Sequence, residues 1–252
     1  RVNCCGMVTR RGRVAIRNLG GRMIQAVIFD RDNTLLMFDK QKIAHFGAKI
    51  YAIAPHVPIA AAETLWETWH GAWPRTVEEE PAFWRAFTSH LGQRYGLTDA
   101  AIDALCELFE QYHTCFSPFD DANHCLHALH DAGLRLGLLT NFELPSIDRT
   151  LQHAGIDPDL FEVSLSSGTL GTWKPDPRAY RAIADALDLP PSACAFVDDD
   201  PINVAGARAE GMHAFLLDRK HKYRDLSEQI IESLEPLPLM LARSVTVGSL
   251  TV

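Results

Sequence analysis

Beyond residue 120 the chain alternates between two kinds of segment, and this alternation restricts the fold more than any other feature of the 252 residues. The runs "LRLGLL" (134–139), "FEVSL" (161–165), "ACAFV" (193–197) and "HAFLL" (213–217) are short and mostly apolar, as strands covered on both faces are. Between them, "DANHCLHALHDAG", "SIDRTLQHAG", "KPDPRAYRAIADALDL" and "PINVAGARAEG" carry apolar residues at helical spacing. The first two close on Gly133 and Gly155, while Asp176-Pro177 and Asp200-Pro201 each place an N-cap before a proline at the first helical position. Together with an earlier apolar run at Val27, Ile28 and Phe29, they predict an α/β fold, a Rossmann-like parallel sheet flanked by helices.

In such sheets ligands gather beyond the carboxyl ends of the strands, where loops converge and helix N-termini present free amide donors. Four polar groups fall there: Asp30 with Asp32, Thr140 with Asn141, Lys174, and the run Asp198 to Asp200. Taken alone, Asp30 and Asp32 read equally well as caps of the turn made with Asn33 and Thr34. The ordered recurrence of polar groups at later strand ends favours one shared site instead. Acids from two strand ends suit a hard dication such as Mg²⁺, which is held by carboxylates and substrate phosphate oxygens. A lysine and a threonine beside it complete a cradle for a dianionic phosphoryl group. One aspartate can then attack phosphorus while the other handles the leaving group's proton. Because successive side chains on a strand alternate, at most one of Asp198 and Asp199 is expected to face Asp30.

In this order the motifs resemble those of the haloacid dehalogenase (HAD) superfamily, in its phosphatase-like branch with a helical cap. The family's DxDxT is matched by Asp30, Asp32 and Thr34, its Ser/Thr by Thr140, its lysine by Lys174 and its acidic cluster by Asp198 and Asp199. The resemblance implies that Asp30 is a nucleophile forming an aspartyl phosphate and Asp32 the general acid and base. Thr140, Asn141 and Lys174 would bind phosphate. Asp30, Asp32 through its backbone carbonyl, and Asp199 would hold Mg²⁺, with Asp198 supporting the shell. Asn203 stands where the family has a second acid, and Arg31 where an apolar residue is commoner. The implied activity is Mg²⁺-dependent hydrolysis of a small phosphorylated metabolite. Phosphomutase or phosphotransferase chemistry uses the same groups. A dehalogenase fits less well, because that branch lacks the acid at Asp32, and a non-catalytic phosphate-binding module fits least.

The core is expected at residues 23–36 and 119–233, with a helical cap at 37–118 reading as helices over 40–55, 58–73, 78–95 and 98–115. Trp66, Trp69, Trp73 and Trp84 read as packing residues of that cap in preference to a substrate platform, and Lys42, His45, Lys49, Arg75 and Arg85, which could meet an anionic substrate, read in preference as solvated helix faces. Residues 1–22 hold six arginines and no acid, so the remainder carries 18 basic against 32 acidic residues, a net charge of -14. The leader, residues 1–22, is therefore expected to be disordered and untemplated by the fold, with Met23 the natural start. The acidic remainder argues against nucleic acid as partner, and no run approaches the length of a membrane span. Six cysteines without CxxC spacing suit the cytoplasm. His124, His127 and His130 are expected to face solvent. Pro236 and Pro238 are expected to end the last helix and leave 234–252 as a plain tail.

Overall fold

The computed structural model describes residues 16–17, 23–58, 60–223 and 229–242. Ile16–Arg17 (β1) pairs antiparallel with Met23–Ile24 (β2), and Ala26–Phe29 (β3) follows. Leu36–Phe38 (β4) opens a helical excursion through Lys40–Ile53 (α1), Ala60–Glu67 (α2), Glu80–Tyr95 (α3) and Asp99–Phe109 (α4). Phe116–Pro118 (β5), antiparallel to β4, closes it. The chain then runs through Ala122–Asp131 (α5), Arg135–Thr140 (β6), Ile147–Ala154 (α6), Phe161–Ser166 (β7), Ser167–Leu170 (α7) and Pro177–Ala186 (α8). Cys194–Asp198 (β8), Pro201–Ala209 (α9), His213–Leu217 (β9), Ile230–Ile231 (β10) and Leu237–Ala242 (α10) complete it.

Six strands form one parallel sheet in the order β10, β9, β8, β3, β6, β7. Along β3, Val27 and Phe29 join the core containing α5 and α6, while Ala26 and Ile28 join the core containing α8 and α9. Both faces are covered, which is why these strands read as continuous apolar runs. The chain leaves β3 toward β6 and β7, then returns to β8 on the opposite flank, so the strand order reverses at β3. That reversal opens a crevice bounded by the ends of β3, β6 and β8. Phe29 lies level with both Leu138 and Val197, so Asp30 and Asp198 leave the sheet side by side.

The structure departs from expectation at several elements. The second helix stops at Glu67, and residues 68–76 run irregularly because Trp66, Trp69 and Trp73 pack into an aromatic cluster with Phe83. The fourth helix ends at Phe109 and continues as a 3₁₀ turn over Tyr112–Cys115. The tail is not plain: Leu234, Leu237 and Leu241 are buried, and Pro236 and Pro238 begin α10 instead of ending a helix. Within the basic leader, Ile16–Arg17 is a strand, while residues 1–15 and 18–22, like 243–252, lie outside the described residues. His124, His127 and His130 are exposed on α5, opposite buried Cys125, Leu126 and Leu129. Among the described residues no helix is long and apolar enough to cross a membrane.

Candidate active site

The crevice holds a buried charge network. Lys174 Nζ donates to Asp30 Oδ1 at 2.6 Å and to Asp198 Oδ2 at 2.7 Å, and all three side chains are at least nine-tenths buried. Asn141, expected to meet phosphate, commits its side-chain carboxamide to the main chain of Lys174: its Nδ2 donates to the Lys174 carbonyl at 2.9 Å and its Oδ1 accepts from the Lys174 N–H at 2.7 Å. It places the lysine. Thr140, buried at the end of β6, accepts the N–H of Phe142 at 3.1 Å and so shapes the following loop.

Asp198 is the most heavily bonded of the acidic cluster: besides Lys174 it accepts the Asp200 N–H at 2.8 Å and Asn203 Nδ2 at 3.1 and 3.2 Å. Alternation does not separate it from Asp199, because β8 ends at Asp198 and the chain turns there. Asp30, Asp198 and Asp199 each offer a carboxylate oxygen, all within 4.8 Å of one another. This all-oxygen donor set fits a hard dication, whose ligands sit at about 2.0–2.1 Å for Mg²⁺. Asn203 takes up part of the charge of Asp198 where a further acid would add to it.

Charge and burial leave these groups far from their ordinary titration. Burial, then the neighbouring charges of Asp198 and Asp32, push the Asp30 carboxyl up to about 8 against the opposing pull of Lys174. For Lys174 burial works against the charge, yet Asp30 and Asp198 outweigh it and push its pKa up. Both shifts express one imbalance, a single ammonium among several carboxylates. Asp199 is pushed up to about 6, by burial first and then by Asp198.

Asp32 is partly exposed, and Arg31 donates to both of its oxygens, from Nε at 3.1 Å and Nη2 at 2.9 Å. Nothing in the sequence signals this pair, since an arginine in a turn reads as a solvated residue. Beside the network opens a cavity of about 580 Å³, lined by Trp73 and Arg75 of the excursion and by Asn141, Glu143, Gly168 and Trp173 of the core. Arg75, for which the sequence leaves open both a solvated face and a contact with an anionic substrate, is exposed and lies on this wall. Burial raises the carboxyl of Glu143 there.

A haloacid dehalogenase-like hydrolase family model matches residues 24–211, and the chain belongs to that family. It is a hydrolase with an α/β fold. The chain is 36% identical over 207 residues to phosphatase MT3486 of Mycobacterium tuberculosis, covering 80% of this chain and 91% of that protein. It is 29% identical over 233 residues to (S)-2-haloacid dehalogenase 1 of Pseudomonas sp., covering 87% of this chain and 97% of that protein. Among solved structures it is similar to a 2-haloacid dehalogenase from Pseudomonas syringae, with a TM-score of 0.67, 25% identity, and coverage of 88% of this chain and 99% of that one.

Proposed function

We propose that the protein is a Mg²⁺-dependent phosphatase that hydrolyses a small phosphorylated metabolite through an aspartyl phosphate on Asp30. The observation that carries this reading is the buried Asp30–Lys174–Asp198 network with a second acid, Asp32, two residues from the nucleophile. Lys174 draws in the phosphoryl group and screens Asp30, whose Oδ attacks phosphorus while the bond to the leaving oxygen breaks. Asp32 gives its proton to that oxygen, then takes one from the water that attacks the aspartyl phosphate, releasing inorganic phosphate and freeing Asp30. Thr140 contributes a hydroxyl to the cradle. Asp30, Asp198, Asp199 and the backbone carbonyl of Asp32 would hold Mg²⁺, which when bound neutralises phosphoryl charge. The helical excursion, hinged on β4 and β5, serves as a cap over the crevice and excludes water as it closes. Among the described residues Cys106, Cys115, Cys125 and Cys194 are free thiols, which supports a cytoplasmic enzyme, and its partner is a small phosphorylated metabolite.

The likeness to haloacid dehalogenases gives a second reading, in which Asp30 attacks a carbon bearing halide. Asp32 weighs against it, because a halide departs without a proton and an alkoxide does not. Phosphoryl transfer to a second substrate differs only in what meets the aspartyl phosphate. The test is a panel of phosphorylated metabolites with Mg²⁺ beside 2-chloropropionate. Phosphate release that vanishes in Asp30→Asn, with that variant still folded, supports the phosphatase. Chloride release without phosphate release overturns it.

A further inference from the structure

Arg31 is fully buried, yet nothing in the mechanism above uses it. Its guanidinium carbon lies 4.1 Å from the ring centroid of Phe142 and 4.8 Å from that of Phe116. Nε and Nη2 hold both oxygens of Asp32, while Nη1 is buried without a partner. A buried guanidinium with one nitrogen unsatisfied carries a desolvation cost, and a long apolar side chain would pack between two phenyl rings without it. Packing therefore does not explain an arginine here. Its contact with Asp32 does.

The rings around Arg31 join separate parts of the molecule. Phe116 is the first residue of β5, the strand that closes the helical excursion. Phe142 follows β6, and it is stacked in turn by Trp66 of α2 (5.4 Å, 20°) and by Tyr112 (5.4 Å, 27°). A continuous line of contact thus runs from Trp66 through Phe142 and Arg31 to Asp32.

Resting on the phosphatase reading, we propose that Arg31 is a positioning residue that fixes the Asp32 carboxylate against the leaving-group oxygen while the helical excursion is seated on Phe142. Each carboxylate oxygen has a second lone pair, so Asp32 can hold and return a proton while both oxygens are clamped. The proton passes from Asp32 to the leaving oxygen as the phosphorus–oxygen bond breaks, and a second passes from the attacking water to Asp32. Arg31 exchanges none.

The experiment compares kcat/KM, which reports formation of the aspartyl phosphate, for ethyl phosphate and p-nitrophenyl phosphate with Mg²⁺. Arg31→Met should lower kcat/KM for ethyl phosphate about 10- to 100-fold, as a slight misplacement of a catalytic group does. The loss for p-nitrophenyl phosphate, whose leaving group needs no proton, should be several-fold smaller. Arg31→Lys should recover part of the ethyl phosphate rate. In an Asp32→Asn background Arg31→Met should cause no further loss, since the residue it places is gone. Phe142→Leu keeps the arginine, removes one ring face and should change the same ratio by less, which keeps the test open if Arg31→Met does not fold. Equal losses on both substrates, or a further loss in the Asp32→Asn background, would show a merely structural arginine and overturn the proposal. If the parent enzyme releases no Asp30-dependent phosphate from either compound, the phosphatase reading fails and takes this role with it.

Discussion

Asp30, Asp198 and Asp199 place three carboxylates around one buried ammonium, that of Lys174, so the network is short of positive charge. In the metal-free protein a proton on Asp30 makes up part of the shortfall, and burial with the neighbouring acids pushes that carboxyl up to about 8. Mg²⁺ must displace this proton. Affinity should therefore rise with pH by about tenfold per unit between roughly pH 6 and 8 and level off above, one proton leaving per ion bound. Calorimetric titration in buffers of different ionisation enthalpy measures both quantities, and a flat affinity with no proton released would refute the charge count. Asp198→Asn and Asp199→Asn should each weaken Mg²⁺, because each removes one carboxylate charge from the cluster. Asp30, Lys174 and Asp198 were legible in the sequence because a strand's end is easy to locate and its loop opens on the crevice. The direction of side chains beyond that end was not, since alternation stops with the last strand residue. Asn141 turning to Lys174, Asp199 joining Asp198, and Arg31 turning to Asp32 all belong to that hidden class.

At the scale of elements, one tight contact between the helical excursion and the core is at Gly168, in α7. A Cβ there would lie 1.8 Å from the carbonyl oxygen of Glu143 and 2.9 Å from that of Pro74, so three segments meet where only hydrogen fits. Gly168→Ala must push Pro74 or Glu143 away, and with them the wall of the cavity. We expect kcat/KM to fall about 10- to 100-fold, as misplaced positioning elements commonly cause. Gly47→Ala in α1 is the control: nothing lies within 4 Å of the added carbon, and the helix should gain about 0.5–1 kcal/mol. Unchanged kinetics in Gly168→Ala would mean that the wall yields without consequence. The parallel strands were legible because burial on both faces leaves one unbroken apolar run. Residues 68–76 were not, because Trp69 and Trp73 continue the helical spacing of Trp66 in sequence while the backbone that carries them is irregular. Trp69 lies against Gly71, where a Cβ would come within 2.4 Å of the indole, and its ring packs on Phe83 and Phe87, so local propensity yields to these contacts.

Across the whole molecule, the C-terminal segment is tied to the catalytic loop through Asp121. Its carboxylate accepts Arg219 Nη1 at 2.9 Å, Nη2 at 2.8 Å and the Leu234 N–H at 2.8 Å, while the same Arg219 Nη2 donates to the Thr34 carbonyl at 2.9 Å. Burial alone would raise the Asp121 carboxyl, but Arg219 and the Leu234 N–H hold it below the usual carboxylate range. Residues 234–242 looked like a plain tail because Pro236 and Pro238 read as terminators. Pro238 is instead the second residue of α10, where a missing N–H breaks no helical hydrogen bond. Beneath it Leu234 and Leu237 are completely buried and Leu241 nearly so, and α10 packs against α5 and β1. This segment should therefore unfold with the core. Leu237→Ala should cost about 2–5 kcal/mol, the range for emptying a buried leucine site. At about 2–4 °C per kcal/mol for a chain of this size, the melting temperature should fall by roughly 4–20 °C. Turnover at 25 °C should stay near the parent's, because Leu237 touches none of the reacting groups. A melting temperature within a degree of the parent's would show that α10 rests on the molecule without stabilising it. A low-temperature unfolding step separate from the main transition would show that α10 leaves the core on its own.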